Sequence, residues 1–202
     1  MRGIHRRDIL KALAAAPAAG GLHLTSGLAR QAHEHAREAR EAAREGKPEA
    51  PQFFTAEEFE TVRILTDLIL PADDRSPSAS QLGVPEFIDF IMIDMPKHQT
   101  AMRGGLSLLD FECRKRFGPP FRDCDQTQRT ALLDEIAWPS KAKPEARHLA
   151  TFFSALRDLT ASGFWTTREG MEDLQYLGNT FTEWDGCPPQ VLEKLGVWEE
   201  EG

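Results

Sequence analysis

Cysteine, histidine and tyrosine are scarce in this chain of 202 residues, at three, six and one. The cysteines, Cys113, Cys124 and Cys187, include no Cys-x-x-Cys pair and no Cys-x-x-Cys-His. That excludes zinc-ribbon spacing, thioredoxin-type redox chemistry and covalent haem attachment by this chain. An odd count leaves one thiol over wherever two pair. Only His98 and His148 fall in the compact part of the sequence, and neither has an evident nucleophile partner. His33 and His35 stand two apart, on different faces of a helix, and no His-Glu-x-x-His occurs, so a zinc site there is not expected. Gly-x-Ser-x-Gly and a phosphate loop are also missing, and Gly104-Gly105 does not follow a strand as a dinucleotide fingerprint must. The expectation is a chain with no catalytic, cofactor-binding or metal-binding residues of its own.

Two further absences bound the fold. No apolar run approaches the ~20 residues of a membrane span. No stretch alternates with period two long enough for a strand. The charge is unevenly divided. Residues 1–47 hold nine Lys/Arg against five acids, while the whole chain carries −8. The remaining fifteen bases and twenty-seven acids leave residues 48–202 at −12. A domain that acidic repels a phosphate backbone, so nucleic acid is excluded as a partner.

What is present begins at the N-terminus. His5-Arg6-Arg7-Asp8-Ile9-Leu10-Lys11 is followed by a weakly apolar run of Ala, Gly and Leu from Ala12 to Leu24. A charged segment with paired arginines before such a run is the form of a twin-arginine export signal, with Arg6, Arg7, Leu10 and Lys11 as its marks. Gly27-x-Ala29 supplies small residues for cleavage, so residues 1–29 read as the signal. That route carries folded proteins and predicts a periplasmic location.

Residues 30–52 read as a charged linker or arm. Ala29, Ala32, Ala36, Ala39 and Ala43 recur at steps of three and four, a narrow seam of small residues. Alanine buries little area, so a solvated, partly helical linker is the expectation. An arm lying on a partner through the seam is the alternative.

Residues 53–202 read as one all-α domain, an irregular bundle of about five to seven helices with a loop-rich C-terminal segment. Thr55 with Glu58, and Asp125 with Gln128, are capping-box signatures. Pro71 ends the first helix and Pro85 opens the second. A third covers 100–117 and stops at Gly118, and another covers 145–161 with Gly163 as its cap. Asp73-Asp74 reads as a solvated turn, and Cys113 as a buried thiol on a packed helix. Whether Cys113 pairs with Cys124 is left open by the sequence. The final forty residues gather Trp165, Tyr176, Phe181, Trp184 and Trp198 in Gly/Pro-punctuated chain. Such aromatics form either a contact surface or the lid of the core.

Several clusters then resemble one family, the small (third) subunit of gluconate 2-dehydrogenase and related periplasmic FAD-dependent sugar dehydrogenases. They are Phe54-Thr55-Ala56-Glu57-Glu58, Ile69-Leu70-Pro71-Ala72-Asp73, Gly83-Val84-Pro85-Glu86-Phe87-Ile88-Asp89, Gly163-Phe164-Trp165-Thr166, Gly170, Tyr176-Leu177-Gly178-Asn179 and Trp184-x-Gly186-x-Pro188. Gln175 stands where a glycine often precedes the tyrosine. The resemblance implies a cofactor-free small subunit. Its large partner is an FAD-dependent flavoprotein of the glucose-methanol-choline type, and a multihaem cytochrome c often completes the complex at the membrane. The small subunit carries the export signal through the twin-arginine translocase for both chains. Trp165, Tyr176, Asn179, Trp184 and Cys187 are the partner-interface candidates, with Cys187 implied as a cysteine bonded to the large subunit. A free-standing periplasmic binding or adaptor protein is the alternative function.

Overall fold

The computed structural model describes residues 25–46, 50–175, 187 and 189–196. Eight α-helices lie in this part, and no strand is found among the described residues. They are α1 (Ser26–Arg44), α2 (Ala56–Ile69), α3 (Val84–Asp94), α4 (Gln99–Phe117), α5 (Gln126–Ile136), α6 (Arg147–Trp165), α7 (Arg168–Asp173) and α8 (Pro189–Leu195). Short 3-10 turns at Ser80–Leu82, Pro96–His98, Phe121–Asp123 and Pro144–Ala146 join several of them.

The bundle is organised around α3. This helix is apolar on nearly every side, as a helix surrounded by others must be. Val84, Phe87, Ile88, Ile91 and Met92 are all fully buried. Helices α1, α2 and α6 pack against it, α4 and α5 pack on α6, and α7 folds back on the end of α6. Local signals start the helices where the sequence places them. Thr55 and Glu58 form a complete capping box at α2, and Asp125 and Gln128 form another at α5. Pro85 occupies the first turn of α3, and Gly118, at φ 101°, closes α4.

The turn between α2 and α3 is fastened from inside. Asp67 accepts hydrogen bonds from the Ser80 N–H at 2.8 Å and the Ser80 hydroxyl at 2.7 Å. Asp73 accepts from the N–H groups of Arg75 and Ser76, each at 2.9 Å. The Asp73-Asp74 pair therefore belongs to a turn. Gly83 bends the chain into α3 at φ 81°. A β-carbon there would lie 2.8 Å from Arg40 Cδ, because α1 crosses directly over it.

Two expectations need correction. Residues 30–52 are not a solvated linker. Helix α1 begins at Ser26, capped by Thr25, and lies against α3. Its alanine seam faces the domain's own core, with Ala32 and Ala36 buried. Small residues that bury little area allow two backbones to come close, and α3 provides the matching glycine at position 83. The small-residue site Gly27-x-Ala29 consequently falls in the first turn of α1. Second, Gly163 is not a helix cap. Helix α6 runs through it to Trp165, and its missing side chain makes room for Phe87, whose Cδ1 would lie 2.9 Å from a β-carbon.

Candidate functional site

The structure reaches two of the five partner-interface candidates. Trp165 ends α6, half-buried, with its ring edge-on to Phe164 at 5.8 Å. Its indole Nε1 is buried without a hydrogen-bond partner among the described residues. Cys187 is an exposed free thiol. Tyr176, Asn179 and Trp184 lie outside the described residues, as do Arg6, Arg7, Leu10 and Lys11 of the expected export signal.

Around Trp165 the chain builds a platform from the end of α6, from α7 and from the turn before α3. Thr167 caps α7 by accepting the Gly170 N–H at 3.0 Å, and its hydroxyl donates to the Phe164 carbonyl at 2.6 Å. Gly170 lets α7 fold flat onto α6, since a β-carbon there would meet Phe164 O at 2.1 Å. Arg75, from the turn before α3, donates to the Asp173 carbonyl at 2.7 Å and pairs with its carboxylate at 3.6 Å. Gln175 then turns the chain at φ 56°, the one non-glycine residue with positive φ among those described. Met171 and Leu174 remain exposed on α7. The platform therefore offers an apolar edge at Met171 and Leu174, as a contact surface does.

Helix α1 closes the other side of the same region. His33 stacks on Phe87 at 4.8 Å, and its Nε2 lies 2.6 Å from Thr166 Oγ1. The Thr166 hydroxyl donates to the Ser162 carbonyl. Its oxygen therefore accepts from His33, which fixes the proton on Nε2 of the neutral ring. Burial holds the His33 pKa below the ordinary histidine value. His35, on the adjacent face, packs on Phe90 at 5.3 Å and contacts Gln52 at 2.9 Å. Close by, burial raises the Glu86 carboxyl above the usual carboxylate range, with Arg40 and His35 opposing the shift and Asp89 adding to it.

Asp89 is the polar centre of this side. It is buried, and its carboxylate accepts three backbone N–H groups, from Gln52 at 2.7 Å, Phe53 at 3.1 Å and Phe54 at 2.9 Å. It clasps the segment that joins α1 to α2. Its sequence signal was an acid flanked by Ile88 and Phe90 in the middle of an apolar helix.

His98 and His148 look unrelated in the sequence, yet they line one cleft of about 310 Å³ between α4 and α6. The remaining wall is mainly apolar and includes Met92, Met102, Leu108 and Phe152. Gly105 makes the crossing of α4 and α6 possible, since a β-carbon there would lie 2.0 Å from Phe152 Cδ2. Burial, reinforced by Lys97, lowers the His98 pKa. Thr151, also in the wall, already donates to the Arg147 carbonyl at 2.9 Å. Among the described residues no group of three or more His, Cys, Asp and Glu has the spacing to hold a metal ion, and no helix is long and apolar enough to cross a membrane.

Within the described residues, the positions that carry the sequence resemblance are structural ones. Thr55 and Glu58 cap α2, Gly83 admits α1, and Asp89 clasps residues 52–54. Gly163 seats Phe87, and Gly170 seats α7. The family model described as gluconate 2-dehydrogenase subunit 3 matches residues 56–186. No curated protein and no solved structure matches the chain. With the greater part of its length matched, the chain belongs to the gluconate 2-dehydrogenase subunit 3 family.

Proposed function

We propose that this member of the subunit 3 family is the non-catalytic small subunit of a periplasmic FAD-dependent dehydrogenase. Its large partner is a flavoprotein of the glucose-methanol-choline type that oxidises a sugar or sugar acid. The small subunit escorts that partner through the twin-arginine translocase and stays bound to stabilise it. Arg6, Arg7, Leu10 and Lys11 serve as the shared signal. FAD resides on the large subunit, and a multihaem cytochrome c is the further partner that links the complex to the membrane.

The observation that carries this reading is the role of the matched residues. The positions that carry the resemblance are helix caps, close-approach glycines and a buried clasp. A scaffold with an exposed apolar edge at Met171 and Leu174 suits a lasting protein contact.

Co-expression of the tagged full chain with a flavoprotein of the glucose-methanol-choline type from the same genome tests the proposal. The expected result is co-purification of both polypeptides with FAD in the fraction, and dehydrogenase activity in the periplasm. Replacing Arg6 and Arg7 by lysine should leave both chains in the cytoplasm and lower periplasmic activity by about tenfold or more. A tagged chain that reaches the periplasm alone, while flavoprotein export is unchanged in its absence, would overturn the escort role.

A further inference from the structure

The sequence leaves the pairing of Cys113 and Cys124 open, since a long helix beside them could hold them apart. The structure brings them together. Helix α4 carries Cys113 on its buried face and ends four residues later, and Gly118 reverses the chain. The following 3-10 turn, Phe121–Asp123, is drawn back onto α4 by a hydrogen bond from the Phe121 N–H to Asp110 Oδ1 at 3.0 Å. Asp110 sits one helical turn before Cys113. The Arg129 guanidinium holds the turn from the far side, donating to the carbonyls of Phe121 and Arg122, and lies over the Phe121 ring at 5.7 Å. Phe121 is fully buried. Cys124 leaves this turn with its N–H bonded to the Phe121 carbonyl at 3.2 Å and its thiol facing Pro119 O at 3.8 Å.

Both thiols are free and buried, at 0% and 3% exposure. Burial pushes the Cys113 thiol up to about 12, and the Cys124 thiol beside it adds to the rise through charge repulsion and a side-chain hydrogen bond. Packing is enough to explain one buried cysteine. Two that face each other across a reversed chain, with the turn tied down on both sides, are placed for a bond.

We propose that Cys113 and Cys124 are a disulfide site that locks the end of α4 to the start of α5 under oxidising conditions. The oxidant is a disulfide carrier, either a small-molecule disulfide or a protein one. The Cys124 thiolate attacks the carrier disulfide, forming a mixed disulfide and releasing one carrier thiol. The Cys113 sulfur then attacks Cys124 Sγ, loses its proton to water, and expels the second carrier thiol. Two protein thiols are oxidised and one carrier disulfide is reduced to two thiols. Burial of both sulfurs makes the exchange depend on local opening of residues 118–125, since a buried thiol is a poor nucleophile. The pair closes a short loop and constrains the unfolded chain. The proposal rests on the two thiols alone and is independent of the dehydrogenase partner.

The test uses the full chain with Cys187→Ser, so that the pair holds the only thiols. The protein is purified reduced, equilibrated with glutathione disulfide, quenched in acid, unfolded and treated with a maleimide tag. Sub-denaturing urea in a parallel sample admits the reagent by local opening. The expected result is no tagged thiol and no bound glutathione, with one peptide linking residues 113 and 124. The oxidised form should melt higher by on the order of 5–10 °C. Adding Cys113→Ala should leave Cys124 unable to complete the bond, giving either a tagged thiol or a trapped glutathione adduct. Two tagged thiols, or two stable glutathione adducts, in the urea-treated Cys187→Ser protein would overturn the proposal.

Discussion

Gln175 holds a backbone conformation, φ 56°, that a β-carbon disfavours by about 1 kcal/mol. Gln175→Gly should therefore stabilise the chain, raising the melting temperature by about 2–4 °C in a thermal scan. A lowered melting temperature would mean that the glutamine side chain makes a contact worth more than the strain. Gly105 has the opposite sign. Its site has no room for a methyl group beside Phe152, so Gly105→Ala should destabilise by about 1–3 kcal/mol, read as a shifted midpoint in urea. Asp89 acts through three backbone donors. Asp89→Asn keeps one acceptor oxygen and loses the charge, which should cost about 2–3 kcal/mol and appear as faster hydrogen exchange at residues 52–54.

At the scale of the element, α1 is held against α3 largely through small residues. Its two buried alanines each contribute only about 1 kcal/mol, with ring contacts of His33 and His35 beside them. Its attachment to α3 also depends on pH through two groups of opposite sense. His33 has a folded pKa below 6.5. Its contribution is full above that value and is lost as pH falls through the lower folded one. Glu86 has a folded pKa above 4.5. Its contribution is full below that value and is lost as pH rises through the higher folded one. Thermal scans should accordingly give Glu86→Gln a gain over the parent at pH 7 that disappears near pH 4. His33→Gln should flatten the loss of stability on acidification. Hydrogen exchange within 26–44 should follow the same trends ahead of the rest of the domain.

For the whole molecule, assembly is the readout. Cys187 is exposed, and a bond from it to the large subunit would be seen as one joined band on non-reducing gels. Cys187→Ser should separate the two chains there while they still co-purify. The helical class and the starts of α2, α3 and α5 were legible in the sequence because caps and prolines act locally. So was the turn at Asp73. The position of α1 was not, because an alanine seam says that something approaches closely without saying what. The role of Gly163 was hidden for a related reason: a glycine near a helix end looks like a cap until Phe87 is seen filling its space. The meeting of His98 with His148, and of Cys113 with Cys124, depends on how separate segments cross or reverse, which no local pattern records. The alanine seam of α1 and the Asp89 clasp stand in series along the chain. A pull on the chain at residue 25 reaches the α1–α3 contact before it reaches α2 to α6. Peeling the nineteen residues of α1 from helix to extended chain lengthens the tether by on the order of 35 Å. The Asp89 clasp lies behind that contact, so the pull passes on to α2 only after α1 has come away from α3.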